Sequence, residues 1–402
     1  MNACFVSQRH YPGDARLANE IRAAQDLGLS VSIICMRGQG QPLASLEDGV
    51  RIYRVPSLPR QRAGKLRYIL EYATFFVPTF FLLATLHLIK GYRLVHVTNL
   101  PDALVFAALV PKLLGAKVLF DLRECTPEMF IDRFGAHPEG RVIRLMVAIE
   151  QAALRFADLN ITCTEQMRQA LIARGGAQDR IAVIMNGGAP HLLLEPRLPD
   201  PTDRAEDEFR IVTHGTVIRR YGHELLLEAM AEVVRAVPQA RLTIFGRGEL
   251  LPALEAQRAR LGLAEQVALA GFVPDDELIR QLRRAHCGVV PLMRNPESDL
   301  VHTYKMFEYI HLGIPTVISR TKAVAAYFDE DSLRFFEPND AHSLAAALID
   351  LAHDPHKRYA LAANALKAYE RYAPPVQRQA YADLVAELLR LRHSTLAIGR
   401  ER

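Results

Sequence analysis

Short runs of β-branched and other apolar residues, each followed by a stretch of helical length, recur along almost the whole chain. "ACFVS" and "VSIICM" read as strands, with a helix at 14–27 between them that Gly28 ends. "LVHV", a helix over 101–114, "KVLFDL", a helix at 141–156, "LNITC" and "IAVIM" continue the alternation. Residues 195–208, "EPRLPDPTDRAEDE", are rich in proline and acid and poor in apolar residues, so the rhythm breaks there. It then resumes with "RIVTHG", a stripe of Leu226, Met230, Val233, Val234 and Val237 at helical spacing, "ARLTIFG", "VALAG", a helix at 275–284, "CGVVPL", "TVIS", "LRFF" and a helix from Asp340. Strands alternating with helices predict parallel sheets covered on both faces. The expected fold class is therefore α/β, with two Rossmann-like doubly wound domains.

The expected boundaries are an N-terminal domain at 1–195, a linker at 196–208, a C-terminal domain at 209–372, and a helix at 373–402 that packs back on the first domain. Two such domains in tandem place their strand carboxyl ends across a shared cleft, which suits a ligand held between them. That geometry alone fits dehydrogenases, sugar-nucleotide enzymes and binding proteins alike.

Half of the 402 residues are hydrophobic, so a core of this size is within reach. A formal net charge of +4 is too weak to point to nucleic acid, and none is expected as a partner. The five cysteines are scattered without a CxxC pair, which suggests reduced thiols in a cytoplasmic protein. "MNACFVSQRHYPGD" is expected to be a strand and loop rather than a leader peptide.

Residues 72–89, "YATFFVPTFFLLATLHLI", hold no Asp, Glu, Lys or Arg. Eighteen residues is the lower edge for a membrane span. Pro78, three threonines and His87 dilute the run, and a span here would separate strands that belong to one sheet. Just before it, residues 51–67 carry six basic residues and no acidic one. A solvated loop beside a core helix is one reading. A patch for an anionic membrane surface, peripheral on the inner face of the cytoplasmic membrane, is the other.

The stretch "TYKMFEYIHLGIP" raises a sharper choice. Lys305 and Glu308 lie three residues apart, so on a helix they share one face. They are either a solvated ion pair or part of a site for a phosphorylated ligand. No GxGxxG follows either first strand, so a dinucleotide fingerprint is missing. Instead "THGTVIRRYGHELLLEAM" places Gly215 and Gly222 around Arg219 and Arg220. There backbone can approach a ligand and an arginine can grip a diphosphate. "IFGRGEL" adds Gly246 and Gly248 at the next strand-to-helix turn.

Taken in order, "HGTVIRRYG", "LTIFGRGE", "VALAGFVPDDEL", "CGVVPL" and "YKMFEYIHLGIPTVIS" resemble the nucleotide-sugar-binding domain of family 4 glycosyltransferases, which are retaining enzymes with the GT-B fold. "YPGDARLANEIRAAQDLGLSVSIICMRG", "LVHVTNLPDALV" and "VIMNGG" extend the resemblance through the first half, toward bacterial members that build surface polysaccharides and glycolipids.

The resemblance implies roles. Glu308 would accept hydrogen bonds from the ribose, while Lys305 and Arg220 would hold the donor diphosphate as the catalytic cations. Phe272 and Val273 would meet the base. Gly246 would line the nucleotide floor, with Gly215, Thr216 and Arg247 among the nucleotide-sugar-binding residues. The loop 298–303 would aim amides at the diphosphate and donor sugar, with Asp299, Thr303 and Tyr304 among the binding residues. On the acceptor side stand Asp14, Arg16, Asn99, Asp102, Arg123 and Glu124.

The chain departs from the family in three places. Leu300 replaces the first of the paired glutamates, leaving Glu297 or Asp299 as substitutes. Tyr221 replaces a lysine. Arg123-Glu124 stands where His-Asp is frequent, and an arginine cannot act as a neutral base. No metal and no cofactor are implied. The triplet Asp329–Asp331 has a metal-binding shape but reads as a solvated turn, and His96, His214 and His286 read as core or crevice histidines.

The resulting expectation is a hexosyltransferase moving a sugar from a UDP- or GDP-linked donor to a glycan or lipid-linked acceptor. A sugar-nucleotide epimerase on the same fold and a non-catalytic nucleotide-sugar-binding protein are the alternatives.

Overall fold

A computed structural model describes residues 1–58, 65–186, 195–203, 205 and 207–391. The chain forms two compact units. One is Met1–Met185 with the tail from Pro374, and the other is Asn186–Ala373.

The first unit contains β1 (Asn2–Val6), α1 (Ala15–Asp26), β2 (Ser30–Met36), β3 (Ala44–Glu47), β4 (Val50–Val55), α2 (Lys65–Lys90), β5 (Tyr92–Thr98), a 3-10 turn (Asp102–Ala108), α3 (Leu109–Leu113), β6 (Lys117–Leu122), α4 (Thr126–Phe134), α5 (Arg141–Phe156), β7 (Leu159–Thr162), α6 (Glu165–Ala173) and β8 (Ile181–Val183). Its strands run β3-β4-β2-β1-β5-β6-β7-β8, and all pairs are parallel except β3 with β4. The order reverses between β1 and β5, which defines the switch point of the sheet. Right-handed crossovers put α2, α3 and α5 on one face and α1 on the other.

Two expectations change here. Residues 101–114 are a 3-10 turn followed by a short helix, not one helix. Pro111 has no N–H for the Ala107 carbonyl, so an uninterrupted α ladder cannot form. The basic stretch 51–67 is not all loop either, because β4 takes its first five residues. Arg54 is buried there and bonded to Ser45 and Glu47. Arg67 pairs with Glu71 at 3.1 Å. Arg60 and Arg62 lie outside the described residues, as does the side chain of Lys65.

The second unit contains β9 (Phe209–His214), α7 (His223–Ala236), β10 (Ala240–Phe245), α8 (Leu251–Arg260), β11 (Val267–Gly271), α9 (Asp275–Leu282), β12 (Cys287–Val290), α10 (Tyr304–His311), β13 (Thr316–Ser319), α11 (Lys322–Ala325), β14 (Arg334–Phe336), α12 (Ala341–His353) and α13 (Pro355–Tyr369). Its all-parallel order is β11-β10-β9-β12-β13-β14, with the switch point between β9 and β12. The helical stripe predicted on α7 is its core face, with Leu226, Met230 and Val233 fully buried. The acidic stretch 195–208 lies in this unit. The Arg197 amide donates to the Leu312 carbonyl, Arg283 donates to the Glu195 carbonyl, and Asp203 pairs with His286.

The tail forms α14 (Pro374–Leu388), which packs against α1 of the first unit. Tyr381 at its centre is fully buried and bonds His96 Nδ1 at 2.8 Å.

Candidate active site

In the second unit the candidate residues gather at the carboxyl ends of β9, β10 and β12, beside the switch point. β9 ends at His214, and the turn beyond it is built around glycines. A Cβ on Gly246 falls 1.8 Å from the Gly215 carbonyl oxygen, and Gly246 has φ +135°. A Cβ on Gly215 falls 2.7 Å from Lys305 Cε. The two turns therefore touch backbone to backbone, and the lysine stem lies against the bare side of Gly215. Thr216 is exposed beside them.

Lys305 occupies the first turn of α10 and is buried. Its Nζ makes no hydrogen bond among the described residues. It sits 3.9 Å from the centre of the Tyr221 ring, and Arg220 Cζ sits 5.2 Å from the same centre. An aromatic face attracts cations, so Tyr221 holds two like charges near each other. Burial pushes the Lys305 ammonium down to about 7; Arg220 lowers it further and Glu308 opposes. A buried ammonium with no acceptor is costly unless an anion joins it.

Lys305, 7% exposed, is not a solvated side chain. Glu308 Oε2 lies 3.0 Å from His214 Nε2, and His214 packs edge-on against Tyr309. Sequence reasoning treated His214 as a background histidine. Its position, ending β9 one residue before the required glycine, is the signal that was available. Arg220 Nη1 bonds buried Glu297 at 2.7 Å. Asp299 accepts from the Lys322 amide at 3.0 Å. Glu297 and Asp299 are thus both engaged within the protein.

The loop after β12 departs from expectation. The Ser298 amide donates to Asn295 Oδ1, the Asp299 amide to the Asn295 carbonyl, and the Leu300 and Val301 amides to the Glu297 carbonyl. A turn that closes on itself leaves few amides for a ligand. The N-terminus of α10 remains, where Thr303 is the N-cap residue without a side-chain cap. Tyr304 follows it and bonds Asn186 at 3.2 Å. Arg247 and Phe272 form an exposed cation–π pair at 4.9 Å, with Phe272 62% exposed and Val273 beside it.

The corresponding edge of the first unit is different. Asp14 caps α1 through the Leu17 amide and also takes Arg123 Nη1 at 2.6 Å. Arg123 further binds Glu20 and Asp121, and Arg16 binds Asp121 at 2.7 Å and Glu20 at 3.0 Å. Asn99 donates to Asp102 and to the Glu124 carbonyl, and accepts from the Arg123 amide. Arg16, Asn99, Asp102 and Arg123 are all buried. Burial raises Asp102 to about 6. Of the predicted acceptor group, Glu124 is the most open, and it pairs with Arg9 at 3.2 Å.

Glu20, His96 and Asp121 also bring potential metal-ligand atoms within 4.8 Å of one another. Arg16 and Arg123 bind two of those three groups, so the cluster already has its cations. Asp329, at the start of the predicted acidic triplet, is bonded to Ser332, and Glu330 pairs with Arg320.

Two family models match the chain. Glycosyl transferase 4-like domain matches residues 14–187, and Glycosyl transferases group 1 matches residues 195–368. The chain belongs to this glycosyltransferase family.

Its similarities within that family are distant. It is 24% identical over 289 residues to sulfoquinovosyl transferase SQD2 of Arabidopsis thaliana, covering 69% of this chain and 53% of that one. It is 27% identical over 174 residues to a GDP-mannose-dependent phosphatidylinositol monomannoside mannosyltransferase of Mycolicibacterium smegmatis, covering 40% and 46%. The chain thus spans about half the length of the curated relatives it matches. Among solved structures, sucrose-phosphate synthase of Thermosynechococcus elongatus superimposes with a TM-score of 0.75 at 17% identity, over 98% of this chain and all of that one. That likeness supports the GT-B fold, with two Rossmann-like α/β domains.

Proposed function

We propose that the chain is a retaining glycosyltransferase that moves a hexose-type sugar from a UDP- or GDP-linked donor to a glycan or lipid-linked acceptor. The observation that carries this reading is the buried, hydrogen-bond-free Lys305 ammonium beside the bare face of Gly215. Lys305 and Arg220 face the departing diphosphate. Charge placed in advance where charge develops is the main source of rate in such a site. Glu308, which lies 3.0 Å from His214 Nε2, takes the ribose hydroxyls. Phe272 and Arg247 offer a flat, exposed surface to the base, with Val273 beside it. Gly215, Thr216 and Gly246 form the floor, and Asp299, Thr303 and Tyr304 border the sugar.

The acceptor enters at the first unit, where Glu124 and Arg9 are the open polar groups. The buried groups Asp14, Arg16, Asn99, Asp102 and Arg123 act there as framework. Neither relative named above is an epimerase, and both are named as transferases. The mannosyltransferase is named for a lipid substrate. This supports an acceptor at a membrane surface, reached by a cytoplasmic enzyme that binds peripherally.

Glu308→Ala tests the donor half. Losing a charged acceptor for two hydroxyls weakens nucleotide-sugar affinity by about 1.5–3 kcal/mol, roughly ten- to a hundredfold. Calorimetry with UDP- and GDP-sugars in EDTA reads it out. Unchanged affinity in a folded variant removes the assigned role.

A further inference from the structure

A helix that covers a sheet in water turns its apolar side inward and its charges outward. The long helix α2 is instead apolar on both sides. Its outward stripe is Leu70, Val77, Phe81 and Leu88, exposed by 46–73%, with Ala73 and Thr85 between them. Its inward side carries Phe75, Leu83 and Leu86 together with Glu71, Thr79 and His87, all buried. The Glu71 carboxylate is bonded to Arg67 and its carbonyl accepts from Gln8. Burial lowers the His87 pKa, which favours its neutral form.

The outward stripe from Leu70 to Leu88 is about 27 Å long at 1.5 Å per residue, and it holds no charged residue. The apolar surface continues beyond the helix. α3 packs on α2, and α2 and α5 both pack on the 3-10 turn between β5 and α3, so the three helices belong to one layer. α3 exposes Leu113 by 76% and α5 exposes Leu145 by 61%. Exposed cations lie on α5, at Arg141 and Arg144, and Arg93 is exposed at the start of β5.

We infer that the outward stripe of α2, with its neighbours on α3 and α5, is a docking face that lies in the interfacial layer of a phospholipid bilayer. An apolar, uncharged stripe of this extent on the open side of a helix matches a hydrocarbon solvent there. The exposed arginines match lipid phosphates. The helix lies along the membrane and does not cross it. β1, β2 and β4 before α2 and β5 to β8 after it form one sheet, which a crossing helix would split across the bilayer. The inference rests on the membrane-surface part of the proposed function, not on its donor chemistry. The sequence expectation joined the basic stretch 51–67 to the apolar helix as one docking surface; this inference rests on the apolar stripe of the helix.

Flotation of the full chain with phosphatidylglycerol–phosphatidylethanolamine vesicles tests it. The protein should float at about 0.05 M and at about 1 M salt, since screening leaves apolar burial intact. Val77→Asp with Phe81→Asp should lower the bound fraction roughly tenfold at both salts, because two carboxylates then face hydrocarbon. Phe81→Gln should act in the same direction by less. Circular dichroism and nucleotide affinity should stay at wild-type values in these variants.

Wild-type protein that never floats, that is fully released by high salt, or that floats equally well with both aspartates overturns the inference. So does extraction by detergent alone, which would mean a span. Self-association abolished by the same aspartates, with no vesicle binding, would assign the face to a second copy. Normal flotation with no nucleotide binding would sink the donor reading and leave this one standing.

Discussion

Each unit presents the carboxyl edge of a parallel sheet at its switch point, yet the two edges are filled in opposite ways. In the second unit a buried cation has no hydrogen-bonding partner among the described residues, and its stem lies against the bare side of Gly215. In the first unit two buried arginines are surrounded by Asp14, Glu20 and Asp121. A charge left open invites a ligand of opposite sign. A charge closed by its neighbours holds elements together, here the start of α1 against the end of β6. The same topology therefore supports binding at one edge and rigidity at the other.

The largest expected effect comes from opening the closed edge. Arg123→Met leaves buried Glu20 and Asp121 to Arg16 alone, and Asp14 to the more open Arg9 at 3.7 Å. Removing one partner of a buried ion network typically costs about 3–5 kcal/mol. Denaturant unfolding should show that loss, and Arg123→Lys should recover part of it, because an ammonium restores charge but not the planar fork. A fully stable Arg123→Met variant that fails only in transfer would break the comparison and return Arg123 to the acceptor.

Next in size is removal of the open charge. Lys305→Met should cut nucleotide-sugar turnover on the order of a hundred- to a thousandfold, the usual loss for one electrostatic contact to a leaving group. Stability should hold or rise, since no buried partner is stranded. The pH behaviour sharpens the point. Lys305 titrates near 7 when folded and at an ordinary lysine value when unfolded, so stability rises with pH across that window. A bound diphosphate pulls the pKa back up. Near pH 8, nucleotide binding should take up about one proton, detectable by calorimetry in buffers of different ionisation enthalpy. Equal proton uptake by wild type and Lys305→Met would mean that another group receives the ligand.

Much of this contrast was invisible in the sequence. The strands were legible because β-branched runs and helix stripes repeat with fixed periods, and α7 and α14 follow that signal. β3 was missed because an edge strand of four residues leaves little pattern. Lys305 and Glu308 stood out through spacing and resemblance. His214 and Tyr221 did not, since their roles come from neighbours more than 80 residues away in the chain. The ion cluster was hidden for the same reason. Asp14, Arg16 and Arg123 looked like open crevice groups until Glu20 and Asp121 were seen to enclose them. Which apolar residues of α2 stay exposed also depends on which side meets the sheet, and with both sides apolar periodicity alone does not state it.

The smallest expected effect tests whether the closed edge is balanced by a proton. Three carboxyl groups, Asp14, Glu20 and Asp121, face two guanidiniums, Arg16 and Arg123. His96 adds no positive charge, because burial pushes it down to about 3. The more open Arg9 also reaches Asp14, at 3.7 Å, so Glu20 and Asp121 are the acids that depend on the two buried arginines. Burial raises Glu20 to about 8, with the Asp121 charge adding and the arginines opposing, while Asp121 itself is held low by those arginines. The folded state then keeps a proton on Glu20 that the unfolded chain releases above the ordinary carboxylate range. Stability from this group is complete at acid pH and is lost as pH rises toward 8. Glu20→Gln copies the neutral form in shape. It should change stability by less than about 1 kcal/mol near pH 5, where wild-type Glu20 is protonated as well. Above pH 8 the comparison should tilt toward the variant, because only the wild type must either hold its proton against the solvent or bury a third negative charge. Unfolding curves at both pH values measure the tilt. If Glu20→Gln instead loses ground as pH rises, Glu20 is ionised in the folded protein, and the two buried arginines hold both Glu20 and Asp121 as carboxylates.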